Sequence, residues 1–166
     1  GWDRDMDKEN QSSLREFWEV SEFDALYTFY YSGFNVRATD LQAFLGIRQL
    51  DKLDEISIVR NQNLHHYIKY LGMSFDEDEL FVSNFAFPIV TENRNRVVKV
   101  LQDNDIEVRP MICGSMGRQP FYVKKYGECI LPNADMVREK GLYLPNHHLL
   151  SEKDIKFICG LIKDII

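Results

Sequence analysis

The sequence predicts an α/β fold in which helices pack on a short β-sheet. Residues 39–72 carry a helical apolar pattern, introduced by a capping box in which Gln42 follows Thr39 by three positions. Residues 85–89 alternate apolar side chains as a strand does. A second capped helix closes the sequence, since Ser151 and Asp154 precede an apolar stripe that comprises Ile155, Ile158, Leu161, Ile162 and Ile165.

The first half of the chain is predicted to be mainly helical. Its polar start indicates a loop and a short helix at 13–20, and the aromatic run at 26–31 favours an extended segment. The helix at 39–72 is long for a globular protein, so we expect a kink between Ser57 and Asn63 and an end at Gly72.

The second half is predicted to supply the sheet and the helices that cover it. Pro88 predicts that the strand at 85–89 lies on a sheet edge or at a bulge, because proline has no N–H to donate to a neighbouring strand in the middle of a sheet. Local patterns then predict a helix at 93–102, a strand at 106–112, a helix at 133–140 and a strand at 141–145.

Composition narrows the possible class of protein. The 166 residues are 45% hydrophobic and 28% charged, which is typical of one soluble globular domain. With 26 acidic and 20 basic side chains the net charge is −6, which argues against a nucleic-acid or anionic-membrane partner. No apolar run is long enough for a membrane span, and the polar first residues do not resemble a signal peptide.

The cysteines and histidines give no sign of a metal site. The three cysteines are widely spaced and contain no CxxC pair, which favours a reducing cytoplasm and thiols that act as small core residues. The histidines form two adjacent pairs, at 65–66 and 147–148, and no further ligands stand at metal-binding spacing. Common catalytic motifs such as GxGxxG, the Walker loop, HExxH and GxSxG are also absent from the sequence.

The first candidate segment is GFNVRATDLQA at 33–43. It presents Asn35 and Arg37 just before a helix N-terminus, where amide and guanidinium groups favour anion binding. The alternative is that Asn35 and Thr39 only satisfy the free amides at the start of the helix.

Two further segments could also bind a ligand. The loop at 109–120 combines Arg109 and Arg118 with two glycines, and arginines bind phosphate oxygens through paired N–H groups, although both could simply be solvated. At the end of the last predicted strand stands His147, which could be structural, although loops at strand ends often form sites.

These segments, taken together, resemble the DegT/DnrJ/EryC1/StrS aminotransferase family. The resemblance rests on GFNVRATDLQA at 33–43, GIRQLDKLD at 46–54 and LPNHHLLS at 144–151, which occur in the family's order and spacing. It covers essentially the whole chain and implies the C-terminal part of a fold-type I transferase that depends on pyridoxal phosphate. The implied domains are the tail end of a large domain at 1–38, a long linking helix at 39–72 and a small α/β domain at 73–166.

The resemblance also implies roles for the candidate residues. In a homodimer with active sites at the interface, Asn35 would hydrogen-bond the cofactor phosphate of the other subunit, and Arg37 would lie beside it. Arg109, Arg118 and His147 would line the side that binds a nucleotide-sugar substrate. The Schiff-base lysine, or a histidine in its place, is expected upstream, so no residue of this chain is expected to be catalytic and the chain alone is expected to be inactive.

Departures from the family pattern leave the reaction open. Arg109-Pro110 and then Cys113-Gly114-Ser115 stand where many aminotransferases carry a His-Tyr pair, a variant that resembles the deoxysugar 3-dehydratase branch. His148 also replaces a proline of the family motif. Amino transfer and dehydration, both in deoxysugar and cell-surface polysaccharide synthesis, therefore remain alternatives. A stand-alone, non-catalytic interaction domain that keeps the small-domain fold is a third.

Overall fold

The computed structural model describes residues 3, 6–33, 39–74 and 81–166. The chain forms two compact units. The first comprises Gly1–Asn35, Pro88–Arg94 and Arg109–Tyr143, and the second comprises Val36–Phe87, Asn95–Val108 and Leu144–Ile166. The domain boundaries at 38/39 and 72/73 that the resemblance implies stay a prediction.

Seven α-helices and three short strands make up the described part of the chain, and each strand is followed by a helix. A short 3₁₀ helix occupies Asp24–Tyr27, and another occupies Met116–Arg118. The remaining elements are α1 (Lys8–Phe17), α2 (Asp40–Leu50), α3 (Leu53–Leu71), β1 (Ala86–Val90), α4 (Arg94–Gln102), β2 (Arg109–Pro110), α5 (Pro120–Tyr126), α6 (Pro132–Lys140), β3 (Gly141–Pro145) and α7 (Glu152–Ile162).

The three described strands form a sheet in the order β1-β3-β2. Strand β2 pairs antiparallel with β3, with Arg109 opposite Tyr143 and Pro110 opposite Leu142. The predicted edge position of Pro88 is confirmed, since β1 lies at one end of this order. Strand β2 is much shorter than the predicted 106–112, because Pro110 lacks a donor and a tight turn follows it at 111–114.

The predicted long helix is in fact two helices. The break lies at 51–52 and not between Ser57 and Asn63, where α3 is continuous. At the break the N–H of Lys52 donates to the carbonyl of Gln49, three residues back, which is a tighter turn than the α-helix allows. Gly72 ends α3 as predicted, in the left-handed conformation with φ 68°.

Other local predictions near the N-terminus were only partly right. The helix predicted at 13–20 is present as α1, but it begins earlier, at Lys8, because the Asp7 carboxylate caps it by accepting the N–H of Asn10, and it ends at Phe17. The aromatic run at 26–31 overlaps a 3₁₀ helix, whose start is held by the Ser21 hydroxyl as acceptor of the Asp24 N–H. Helix α5 was not predicted, although Pro120 at its first position was a usable signal.

The second unit has its core between α3 and α7. Tyr67 stacks on Phe87 with ring centroids 4.6 Å apart, and its hydroxyl donates to the carbonyl of Pro145 at 2.8 Å. Burial raises the pKa of this phenol above its usual range. Burial also raises the pKa of Cys159 to about 12, so this thiol packs as an apolar group, as predicted.

None of the described helices is long and apolar enough to cross a membrane.

Candidate functional site

Helix α2 begins within the first candidate segment, at Asp40. Asn35 and Arg37 both lie outside the described residues. Thr39 does form the predicted capping box: its hydroxyl accepts the N–H of Gln42 at 3.4 Å, and the Gln42 side chain accepts the N–H of Thr39 at 2.9 Å. The capping interpretation is therefore confirmed for Thr39, and these two amides are already satisfied by the cap.

Arg109 lies in β2 with its side chain exposed, whereas its neighbour Pro110 is buried. The guanidinium Nη1 is 3.4 Å from the hydroxyl of Tyr27. Guanidinium N–H and phenol O–H groups are both donors of the kind that phosphate oxygens accept.

Arg118 is engaged by two carboxylates of the first unit. Its Nε and Nη2 donate to Asp135 Oδ2 at 3.2 and 3.1 Å, and its Nη1 donates to Glu128 at 2.9 Å. The Ser115 hydroxyl, together with this guanidinium, holds the pKa of Asp135 below its ordinary value of 3.8. Arg118 therefore ties the loop before α5 to α6, and fewer of its donors remain for a ligand than the sequence suggested.

Gln119 was missed by sequence reasoning, although it organises the same region. Its buried amide donates to the carbonyls of Cys113 and Tyr27 at 2.9 and 3.3 Å, and its Oε1 accepts the N–H of Phe29 at 2.8 Å. Phe29 is 90 residues away in sequence. No local pattern could have identified Gln119, because its hydrogen bonds to residues 27–29 form only when distant parts of the chain come together.

The buried ion pair of Arg94 and Asp24 fixes the 3₁₀ helix that carries Tyr27. Two N–H···O contacts of 3.1 Å join the side chains, and Arg94 Nη1 also donates to the carbonyl of Arg138 at 2.7 Å. The two side chains are largely buried, with 10% and 23% of their surface exposed, and pairing with the opposite charge offsets part of the cost of removing them from water. The pair thereby sets where Tyr27 meets Arg109.

The cavity behind this arrangement is too small for a substrate. It has a volume of about 10 Å³, about the room of one water, and is lined by Tyr27, Thr28, Cys113, Gln119 and Arg138 among others. A ligand larger than a water molecule therefore does not fit into this cavity.

His147 lies in the second unit, just after β3, with its side chain exposed. Its Nδ1 accepts the N–H of Leu149 at 3.2 Å, so the neutral ring carries its proton on Nε2 and can donate from there. The carbonyl of His147 accepts from Asn63 at 3.1 Å, and α3 thereby fixes the backbone.

Asn146 is a second residue that sequence reasoning missed. Its buried Nδ2 donates to the carbonyl and side-chain oxygens of Asn84, at 2.9 and 2.8 Å, and lies 3.3 Å from the carbonyl of Arg60. These bonds join the end of β3 to α3 and to the segment before β1. The loop that presents His147 is consequently held on both sides.

Within the described part of the chain, no three His, Cys, Asp or Glu side chains stand close enough to hold a metal ion.

Residues 6–163 match the DegT/DnrJ/EryC1/StrS aminotransferase family, and the chain belongs to that family. Two curated relatives show which enzymes of the family this chain is similar to. The chain is 25% identical to a GDP-4-keto-6-deoxy-D-mannose 3-dehydratase from Escherichia coli O55:H7, over 98% of this chain and 45% of that protein. It is 28% identical to a GDP-perosamine synthase from Escherichia coli O157:H7, over 80% of this chain and 37% of that protein.

Solved structures show the same fold. The E. coli GDP-4-keto-6-deoxy-D-mannose 3-dehydratase, solved with hydrated pyridoxal phosphate bound, superposes with a TM-score of 0.65 at 22% identity, over 85% of this chain and 39% of that one. A family member from Brucella abortus gives a TM-score of 0.65 at 25% identity, over 95% and 44%. The predicted fold, the C-terminal portion of a pyridoxal-phosphate transferase, is confirmed. The chain spans less than half the length of these relatives.

Proposed function

We propose that this chain is the C-terminal part of a nucleotide-sugar enzyme that depends on pyridoxal phosphate. The observation that carries the proposal is the match over 98% of the chain to a GDP-4-keto-6-deoxy-D-mannose 3-dehydratase. Since GDP-perosamine synthases also match, the proposed reactions are dehydration at C3 and amino transfer. The product would enter deoxysugar and cell-surface polysaccharide synthesis, and the odd number of cysteines supports a cytoplasmic location.

The cofactor would act as the electron sink when it is bound. In this proposal Asn35 and Arg37 bind its phosphate in the neighbouring subunit. An amide and a guanidinium fit a phosphate dianion, because both offer N–H donors and one adds positive charge. The capping box beyond them supports this assignment, since Thr39 and Gln42 cap the helix without Asn35.

The substrate side would be formed by Arg109, Arg118 and His147. Arg109 would bind a phosphate of the nucleotide, supported by its exposed position beside Tyr27. His147 would donate from Nε2 to an oxygen of the substrate. Arg118 would contribute mainly by holding the loop in place, because Asp135 and Glu128 already share its donors.

The surface of α2 supports a role within a larger, dimeric enzyme. Its large apolar side chains are 57–69% exposed, namely Leu41, Phe44, Leu45, Ile47 and Leu50. They occupy more than half of the helix circumference, and a helix this apolar is normally covered by protein. We therefore place α2 against the large domain or the second subunit of the complete homodimer.

The decisive experiment is to express this chain together with the coding region upstream of it. The purified enzyme should retain pyridoxal phosphate and convert a GDP-4-keto-6-deoxy sugar, and mass spectrometry of the product distinguishes a 3-deoxy sugar from an amino sugar. Asn35→Ala should weaken cofactor binding about tenfold or more, the loss of one charge-assisted hydrogen bond, whereas the exposed control Asn133→Ala should not. A monomer that ignores both cofactor and nucleotide sugars would instead favour the interaction domain.

A further inference from the structure

Three non-glycine residues among those described have a positive φ: Glu19 at 51°, Asp105 at 58° and Ile112 at 37°. Residues of L configuration rarely adopt this conformation, and for a β-branched side chain it is a genuine outlier. Ile112 is the only β-branched residue of the three. Each case therefore needs a compensating interaction.

Glu19 and Asp105 have a local explanation. Each follows a helix, and the N–H groups of the next residues, Val20 and Ile106, donate back to carbonyls of the last helical turn. This is the standard left-handed closure of a helix C-terminus, in which the recovered hydrogen bonds compensate for the conformation.

Ile112 does not end a helix. It occupies the second position of a four-residue turn that is closed by the Gly114 N–H, which donates to the carbonyl of Met111 at 2.8 Å. A positive φ at this position normally selects glycine, asparagine or aspartate. The isoleucine side chain is 47% exposed, so burial within the described chain does not compensate for the strain either.

The surrounding contacts prevent the turn from relaxing. The carbonyl of Cys113 accepts from the buried Gln119, and a Cβ at Gly114 would lie 2.7 Å from the Cβ of Arg138. The turn is therefore locked in a conformation that disfavours its own isoleucine. Strain that the surroundings enforce in this way is characteristic of binding sites.

Arg109 and Ile112 together present two kinds of contact at one end of β2. Arg109 is exposed, with its guanidinium 3.4 Å from the Tyr27 hydroxyl, and the turn then carries an exposed apolar side chain. A nucleotide sugar combines phosphates with the apolar faces of a base and a hexose. We propose that Ile112 is a specificity-determining residue that packs on an apolar face of the nucleotide sugar; this inference rests on the proposed function.

The test uses the complete enzyme. Ile112→Ala and Ile112→Gly should each raise KM for the nucleotide sugar about tenfold or more while kcat changes little, because methylene contacts in a binding site are worth this much. Ile112→Gly should also leave the melting temperature unchanged or raise it, since glycine tolerates a positive φ. The matched control is Ile130→Ala, which removes an exposed isoleucine from another loop and should leave KM unchanged.

An unchanged KM in both Ile112 variants would overturn the inference. So would a fall in melting temperature with an unchanged KM, because Ile112 would then pack against another part of the protein. If the wild-type enzyme binds no nucleotide sugar, the proposed function fails and this inference fails with it. If the wild type binds one but the Ile112 variants bind it equally well, only the inference fails.

Discussion

Gln119 binds three backbone groups, from two segments of the first unit, through one buried side chain. It satisfies the N–H of Phe29 and the carbonyls of Tyr27 and Cys113, all of which lie in the region around Arg109. A glutamine before a proline does not by itself predict such a role. Its role exists only because folding brings residues 27–29 and 113 to the same place.

We expect Gln119→Leu to lower the free energy of unfolding by about 2–4 kcal/mol, because it leaves buried backbone groups without partners. Chemical denaturation of the chain measures this loss. Gln102→Leu, an exposed position at the end of α4, is the control and should change stability by less than about 0.5 kcal/mol. A similar effect of both substitutions would show that the Gln119 hydrogen bonds contribute little.

Asp135 makes the stability of the first unit depend on pH in the acid range. The Ser115 hydroxyl and the Arg118 guanidinium lower the pKa of Asp135 in the folded state below its ordinary value of 3.8. The folded chain therefore binds fewer protons than the unfolded chain in this range. The resulting stabilisation is complete above about pH 4 and is lost as the pH falls through the lowered pKa.

Asp135→Asn should accordingly destabilise the chain near pH 7 and have progressively less effect as the solution is acidified below about pH 4. Urea unfolding at a series of pH values measures the difference between variant and wild type. Asp164→Asn, at an exposed position near the C-terminus, is the control. A destabilisation by Asp135→Asn that stays constant down to low pH would contradict the assigned linkage.

At the scale of elements, the α3–α7 pair shows how local and tertiary signals combine. The capping box of α7 was predicted from Ser151 and Asp154, and both of its hydrogen bonds are present. The apolar stripe that follows was predicted to be buried. Ile155, Ile158 and Ile162 are buried, whereas Leu161 and Ile165 are half-buried. Helix α3 supplies the opposite face of this contact with Leu64, Tyr67 and Leu71.

We expect Ile155→Ala to cost about 2–5 kcal/mol in unfolding free energy, because it removes a fully buried side chain and leaves a cavity between the helices. Phe157→Ala, two positions along the same helix but 56% exposed, should cost far less. Thermal or chemical unfolding of both variants provides the comparison. Equal losses would mean that the face of α7 turned towards α3 is wrongly assigned.

At the scale of the whole molecule, α2 differs from the other described α-helices because every one of its residues is exposed. Such an apolar surface promotes association in water. We expect the isolated chain to self-associate, and Leu45→Glu to shift it towards the monomer in analytical ultracentrifugation. Gln49→Glu adds the same charge one turn later and is the control, since it removes no apolar contact. If both variants sediment like the wild type, α2 is not the associating surface.

Local sequence signals determined the fold class, the helix caps, the edge strand with its proline and the family of this chain. Those features depend on residues within a few positions of each other, or on three motifs whose order can be read directly. The break between α2 and α3 and the two-residue length of β2 are also local features, but the patterns in the sequence did not identify them. Tertiary structure alone decided that Gln119 and Asn146 join distant segments and that Arg138 packs on the turn that contains Ile112. These contacts form between residues far apart in the chain, and their energy is not displayed by the local preferences of the sequence.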